Sequence, residues 1–207
     1  MLFPGGRILL FAKAPLPGRV KTRLIPALGE QRAAQLYREL LDRVIAEAAV
    51  GIAPVEIWCA PDTRHGVFRE AASNPSISLH TQPGGDLGER MAFATRQALT
   101  RSETVLLIGG DCPVLNGAHL KQAFTWLYAG ADAVLGPAED GGYVLLGLRR
   151  VARELFAGVP WSTPAVLDVT RRRLGALDWS WRELELLWDL DREADLDRYR
   201  RLNGGSQ

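Results

Sequence analysis

Short unbroken apolar runs alternate along the chain with longer stretches in which apolar residues return every three or four positions. Runs of the first kind predict strands buried on both faces, as in a parallel sheet covered by helices. Stretches of the second kind predict helices that lay one side on a core. The strand signals are Arg7–Ala14 (RILLFAKA), Val55–Ala60 (VEIWCA), Ile77–Gln82, Thr104–Gly109 (TVLLIG), Ala133–Gly136 and Tyr143–Leu148, with Trp181–Trp188 alternating as an edge strand does. Helical stripes cover Glu30–Ala49, more weakly Arg64–Ala72, then Leu87 past Ala98, Gly117–Tyr128 and Val151–Phe156. Two more run from Thr163-Pro164 to Leu174 and from Arg192 to Leu202, before a polar tail at 203–207. This alternation predicts an α/β fold. No linker, repeat or low-complexity tract interrupts it, so residues 1–207 are expected to form one domain.

In open α/β sheets ligands bind beyond the carboxyl ends of the strands, so the loops there are where chemistry is expected. After Thr104–Gly109 comes Gly110-Asp111-Cys112-Pro113, which delivers a carboxylate placed to hold a metal or substrate. After the first strand, Lys13 is followed by Pro15-Leu16-Pro17-Gly18-Arg19-Val20-Lys21-Thr22-Arg23, four cations among turn formers. Backbone N–H groups in such a loop, with those cations, can cradle phosphate. It is not a Walker A loop, because Lys21-Thr22 follows Val20 where that motif needs glycine.

Gly84-Gly85-Asp86-Leu87-Gly88-Glu89-Arg90 follows the third strand. Asp86 and Glu89 have capping-box spacing, and the glycines would let an anion approach the helix start, so Asp86 reads equally as cap or ligand contact. Arg90 falls in the first turn, able to pair with phosphate. Glu139-Asp140-Gly141-Gly142 makes a hairpin or a ligand-facing loop; adjacent extended residues point apart, so at most one of the two carboxylates faces a site. Trp161 and Ser162 suit a base or sugar, although an aromatic staple beside a helix capped by Thr163, with Pro164 first, is the simpler account. Asp191 is positioned to cap the last helix. His65, His119 and Lys121 read as solvent-side residues.

Charge narrows the field. With 25 basic against 24 acidic residues the net charge is +1, which gives no general affinity for nucleic acid or an anionic membrane, so any anion affinity must be local. Cys59 and Cys112 are too far apart for a metal knuckle and read as small buried residues in a reducing cytoplasm. The stretch Met1–Ala12 carries Pro4, Gly5 and Gly6 and runs into Lys13, unlike a signal peptide, and no run has the length of a membrane span.

Phe11-Ala-Lys-Ala-Pro-Leu-Pro-Gly-Arg-Val-Lys-Thr-Arg-Leu24, Gln82-Pro-Gly-Gly-Asp-Leu-Gly-Glu-Arg-Met91, Ile108-Gly-Gly-Asp-Cys-Pro113, Leu135-Gly-Pro-Ala-Glu-Asp-Gly-Gly-Tyr143 and Trp161-Ser-Thr163 together resemble a bacterial family of GT-A-type glycosyltransferases. Some members are labelled arsenosugar-biosynthesis glycosyltransferases. The chain is more distantly similar to molybdenum-cofactor and phospholactate guanylyltransferases, including Asp189-Leu-Asp-Arg-Glu-Ala-Asp-Leu196. The resemblance implies the nucleotide-diphospho-sugar transferase fold (GT-A, Rossmann-like): three αβα layers around a mixed, mainly parallel seven-stranded sheet, with the nucleotide over the strand C-termini. It implies a transferase taking a nucleotide or nucleotide sugar and a small acceptor, with Mg²⁺ or Mn²⁺ on the diphosphate held by Asp111 and Asp191.

Carried onto this chain, that reading makes Asp111, Asp140 and Lys21 catalytic, with Asp140 in acceptor binding or base work. It gives the phosphates to Lys13, Pro17, Gly18, Arg19, Lys21, Thr22 and Arg23, and further substrate contacts to Gly85, Asp86, Arg90, Gly141, Gly142, Trp161, Ser162 and Thr163. Two motifs depart from the relatives. Asp111-Cys112-Pro113 stands where glycosyltransferases of this fold carry Asp-x-Asp, and Pro17-Gly18-Arg19-Val20-Lys21 replaces the Gly-rich loop of guanylyltransferases. Nucleotidyl transfer with release of pyrophosphate, and nucleotide binding without catalysis, are the alternatives.

Overall fold

A computed structural model describes residues 1–204; the end of the polar tail, 205–207, lies outside the described residues. Seven strands form one sheet: β1 (Gly6–Lys13), β2 (Val55–Ala60), β3 (Ile77–Thr81), β4 (Thr104–Gly109), β5 (Ala133–Pro137), β6 (Tyr143–Leu148) and β7 (Trp181–Glu183). Their order is β3-β2-β1-β4-β6-β5-β7. Only β6 runs against its neighbours β4 and β5, so the sheet is mixed and mainly parallel, as the resemblance implies.

Both faces are covered, which is why the strands read as unbroken apolar runs. On one face Ile8, Leu10, Ile57, Leu106 and Ile108 pack under α1 (Ile25–Ala48), α2 (Gly66–Ala71) and α4 (Gly117–Tyr128). On the other, Leu9, Trp58, Val105, Leu107 and Leu146 pack under α3 (Leu87–Leu99) and α5 (Val166–Ala176). A third cluster joins α1 to the late chain: Leu24, Leu36 and Leu40 enclose Trp188, Leu190 and Leu196, the last on α6 (Glu193–Gly204).

Several boundaries differ from the sequence reading. The first helix begins at Ile25 and bends at Gly29 (φ 75°), a conformation glycine adopts without a side-chain clash. Val151–Phe156 yields only a 3-10 turn at Arg153–Leu155, too short a segment to repay helix nucleation before Gly158 and Pro160. The α5 helix starts at Val166 rather than at Pro164, because the Thr163 hydroxyl donates to the Pro160 carbonyl (2.7 Å) within a run of turns. The edge strand shrinks to Trp181–Glu183. Beyond it Pro137, which has no N–H to donate, interrupts the ladder with β5, leaving one bridge from Ala138 to Leu187.

Gly141 marks where the β5–β6 loop meets α5. Its backbone is left-handed (φ 85°), its carbonyl accepts from the Leu167 amide (2.9 Å), and a Cβ there would overlap the Pro164 backbone. Gly141→Ala is therefore expected to cost about 3 kcal/mol, combining backbone strain with overpacking, read as a lowered midpoint in urea unfolding. An unchanged midpoint would mean that this contact is not made.

Candidate active site

Parallel pairing of β1 with β4 sets Phe11 beside Gly109, so the two loops leaving those strands emerge side by side. Here the connections diverge to opposite halves of the sheet, the crevice where open α/β sheets bind ligands. The first loop brings Lys21, whose side chain is only 3% exposed, and its Nζ donates to Asp111 Oδ2 of the second loop at 3.0 Å. Lys21 takes a left-handed backbone (φ 47°, ψ 42°), uncommon for a residue with a Cβ and worth about 1–2 kcal/mol of strain. Asp111 is 40% exposed and faces the crevice.

Around this pair lies a cleft of about 650 Å³. Lys13, Arg19, Lys21, Thr22, Arg23 and Arg90 line it, as do Asp111, Asp140, Ser162 and Asp191. Gly142, Trp161 and Thr163 line an adjoining cavity of about 300 Å³. Pro17, Gly18, Gly85 and Gly141 line neither. Gly85 acts through its carbonyl, which accepts from Arg90 Nε at 2.9 Å and aims that guanidinium. Asp86 makes the full capping box with Glu89 and faces a separate groove beside Phe93, so here the cap accounts for it.

Glu139 and Asp140 do point apart. Glu139 binds Arg198 of α6 at 2.8 and 2.9 Å, while Asp140, held by the Gly142 amide at 2.8 Å, faces the cleft. Asp191 does not cap α6. Its carboxylate pairs with Arg23, and the turn is closed instead by Asp195, which accepts from the amides of Asp191 (3.0 Å) and Arg192 (2.7 Å). His65 and His119 are not plain surface residues: His65 accepts from the Val67 amide, and His119 joins Asn116 in a capping box and reaches Glu185 at 2.9 Å.

Three lining residues were not singled out from the sequence. Asp189 is carried to the site by a segment stitched across it: Cys112 Sγ donates to the Trp188 carbonyl (3.2 Å), and the Leu190 amide to the Asp111 carbonyl (3.4 Å). Burial, then the charges of Asp111 and Asp140, raise the Asp189 carboxyl to about 6. Tyr37, read as part of a helical stripe, accepts from the Lys13 amide at 3.0 Å, and burial followed by the Asp111 charge pushes its hydroxyl well above the usual range. Gln82 donates to the carbonyls of Ala12 (3.3 Å) and Trp58 (2.8 Å), pinning the ends of β1 and β2. Asp189 had a visible signal, a carboxylate two places before Asp191; the other two had none beyond being polar near a strand end.

Residues 42–163 match the model of a family described as uncharacterized protein conserved in bacteria (DUF2064). The chain belongs to this family. Among solved structures it is similar to a Desulfovibrio desulfuricans G20 protein provisionally named a nucleotide-diphospho-sugar transferase, at 32% identity and TM-score 0.89, over 99% of this chain and 90% of that one. The fold is shared with a CMP:2-keto-3-deoxy-manno-octonic acid synthetase complexed with CTP (11% identity, TM-score 0.56, 98% and 99% of the chains). It is also shared with a 4-diphosphocytidyl-2C-methyl-D-erythritol synthase of Anaerococcus prevotii DSM 20548 (11%, 0.61, 97% of each chain). No curated protein matches the sequence. The DUF2064 match takes in Asp111, Asp140 and Trp161–Thr163 and stops short of the basic loop on one side and Asp189 on the other.

The raised Asp189 carboxyl ties stability to pH. The folded state holds that proton more tightly than the unfolded chain, so the stability it lends is full below pH about 4 and is lost as pH rises through about 6. Asp189→Asn removes that loss. In divalent-free buffer its melting temperature relative to the parent should rise between pH 4 and pH 7.5, and a difference that stays flat would contradict the placement of Asp189 beside the other two carboxylates.

Proposed function

We propose that this member of DUF2064 is a transferase acting on the diphosphate of a nucleotide donor, moving a glycosyl group from a nucleotide-diphospho-sugar to a small acceptor. What carries this reading is a single juxtaposition. Lys13, Arg19, Lys21, Arg23 and Arg90 line the same cleft as Asp111, Asp140 and Asp189, over the carboxyl ends of β1 and β4. In such a transfer an acceptor hydroxyl attacks the anomeric carbon and the bond from that carbon to the diphosphate breaks. The nucleoside diphosphate leaves, and the hydroxyl proton passes to a carboxylate, a role that suits the exposed Asp140. Fixed cations aimed at the leaving diphosphate lower the barrier because the charge develops there. An ammonium has three donors, so Lys21 Nζ can keep Asp111 and still reach a phosphate oxygen.

A divalent cation suits the same donors. Among the described residues no three His, Cys, Asp or Glu side chains gather closely enough to enclose a metal. Mg²⁺, however, commonly takes one or two carboxylates and completes its shell with phosphate and water. Asp111 and Asp189 would supply hard oxygens whose mutual repulsion a cation relieves. Bound there, Mg²⁺ or Mn²⁺ would supply neutralising charge to the diphosphate. Asp191 lines the same cleft, where its carboxylate pairs with Arg23; as a further oxygen donor it would trade that pair for the cation.

Nucleotidyl transfer is the second reading. The observation favouring it is the number of cations: five line the cleft, more than a diphosphate diester needs and well matched to a triphosphate. There the acceptor attacks the α-phosphorus and pyrophosphate leaves.

Separate incubation with nucleotide sugars and with nucleoside triphosphates distinguishes these reactions: free nucleoside diphosphate marks the first, pyrophosphate the second, and binding without product a non-catalytic protein. With whichever donor is turned over, Asp111→Asn and Lys21→Ala should each lower kcat on the order of 100-fold. Asp111→Asn keeps an oxygen that accepts from Lys21 and should remain folded by circular dichroism, with a lowered melting temperature because the buried ammonium loses its countercharge. Parental turnover in Asp111→Asn, with metal stimulation unchanged, would rule out this site.

A further inference from the structure

The cleft and the adjoining cavity divide charge between them. They share a wall of Phe11, Leu87, Asp111, Asp140, Ser162 and Asp189, so a molecule in one touches the same carboxylates as a molecule in the other. Every cation of the site lies on the cleft side; among the described residues no lysine or arginine lines the smaller cavity. Its lining is largely apolar, with buried Leu107, Ile108, Met91 and Val166 beside Trp161, and among the described residues its charged groups are the three carboxylates it shares with the cleft. Lys21 Nζ, bound to Asp111, lines the cleft and not this cavity, so its remaining donors serve the cleft.

An anion entering this cavity would leave water for an apolar floor and meet three carboxylates, while Lys21 and any divalent ion on Asp111 and Asp189 would be committed to the diphosphate in the cleft. Burying a charge without a partner is among the costliest events in a protein interior. A hydroxyl or an ammonium loses nothing comparable, since the carboxylates accept its hydrogen bonds. We propose that this roughly 300 Å³ cavity is the acceptor subsite and that it selects a small alcohol or amine with an apolar body, excluding acceptors that carry phosphate or carboxylate. Naming the occupant an acceptor rests on the transferase reading above; the charge selectivity does not. The arrangement also gives the two substrates opposite addresses, the polyanionic donor on the cationic side and the uncharged or cationic acceptor on the acidic side, with the carboxylates where they meet.

The test titrates the full chain, its cationic cleft first saturated with pyrophosphate, with four probes that share a phenyl body: 2-phenylethanol, 2-phenylethylamine, phenylacetate and phenyl phosphate, followed by saturation-transfer NMR. The alcohol and the amine should bind, and the two anions should bind on the order of ten-fold or more weakly. Thr163→Lys places a cation on this wall at an exposed position, giving up the hydroxyl's bond to the Pro160 carbonyl at a cost of about 1 kcal/mol, and should bring phenylacetate up to the level of the alcohol. Equal or tighter binding of the anions by the parent, no binding of any probe, or no gain by Thr163→Lys would overturn the proposal. Binding of ADP, CDP, GDP and UDP is measured on matched samples without pyrophosphate. Diphosphate binding without the probe preference overturns the acceptor inference alone; the probe preference without diphosphate binding upholds the selectivity and counts against the transferase reading.

Discussion

A buried ammonium reaching a half-exposed carboxylate fixes the active end of the sheet. Lys21 is nearly enclosed, sits on a strained left-handed backbone, and has Asp111 as its carboxylate partner. Neither the strain nor the burial has a local reward. Both are tolerated because the parallel pairing of β1 and β4 holds the two loops in register, and because Asp111 answers a charge that would otherwise be stranded. The pair thereby orders the whole basic loop. Once Lys21 is fixed, Thr22–Leu24 turn into α1, and Leu24 is buried against the cluster that also holds Trp188 and Leu190.

That cluster explains how a residue near the end of the chain becomes part of the site. Trp188 lies under the Arg198 guanidinium (4.3 Å) and packs against α1, while hydrogen bonds run from Cys112 to its carbonyl and from Leu190 to Asp111. Asp189, between them, has no freedom to point elsewhere, and it meets Asp111 and Asp140 closely enough for their charges to raise its carboxyl. Three carboxylates from three connections are thus held against their mutual repulsion by apolar packing behind them. A site assembled in this way stores unfavourable electrostatics that a cationic or hydrogen-bonding ligand can relieve, and this links the fold's stability to what it binds.

Much of this was legible in the chain. Unbroken apolar runs marked six strands because burial on both faces removes the usual alternation, and Asp86-x-x-Glu89 announced its capping box because both partners lie within one turn. Glu139 and Asp140 do take opposite partners, but on the turn that the Gly141 amide closes onto the Ala138 carbonyl (3.0 Å) rather than on the extended backbone from which the sequence predicts it. Where local signals competed, the sequence misled. The turns at 161–165 displaced the start of α5 from Pro164, and Asp195 displaced Asp191 as the closing carboxylate of α6.

By itself, then, the sequence determined the α/β class, the basic and acidic loops at successive strand ends and the carboxylate Asp111, since periodicity, turn chemistry and charge are properties of neighbouring residues. Only the tertiary structure decided that Lys21 would meet Asp111 ninety positions away, that Asp189 would join them, and that Tyr37 would bring its hydroxyl from a core stripe to the cleft. It alone decided that all the cations would line one cavity and none the other. The reason is physical: these partners are set by strand order and by the packing of distant apolar clusters, and neither leaves a mark at the positions of the residues it brings together.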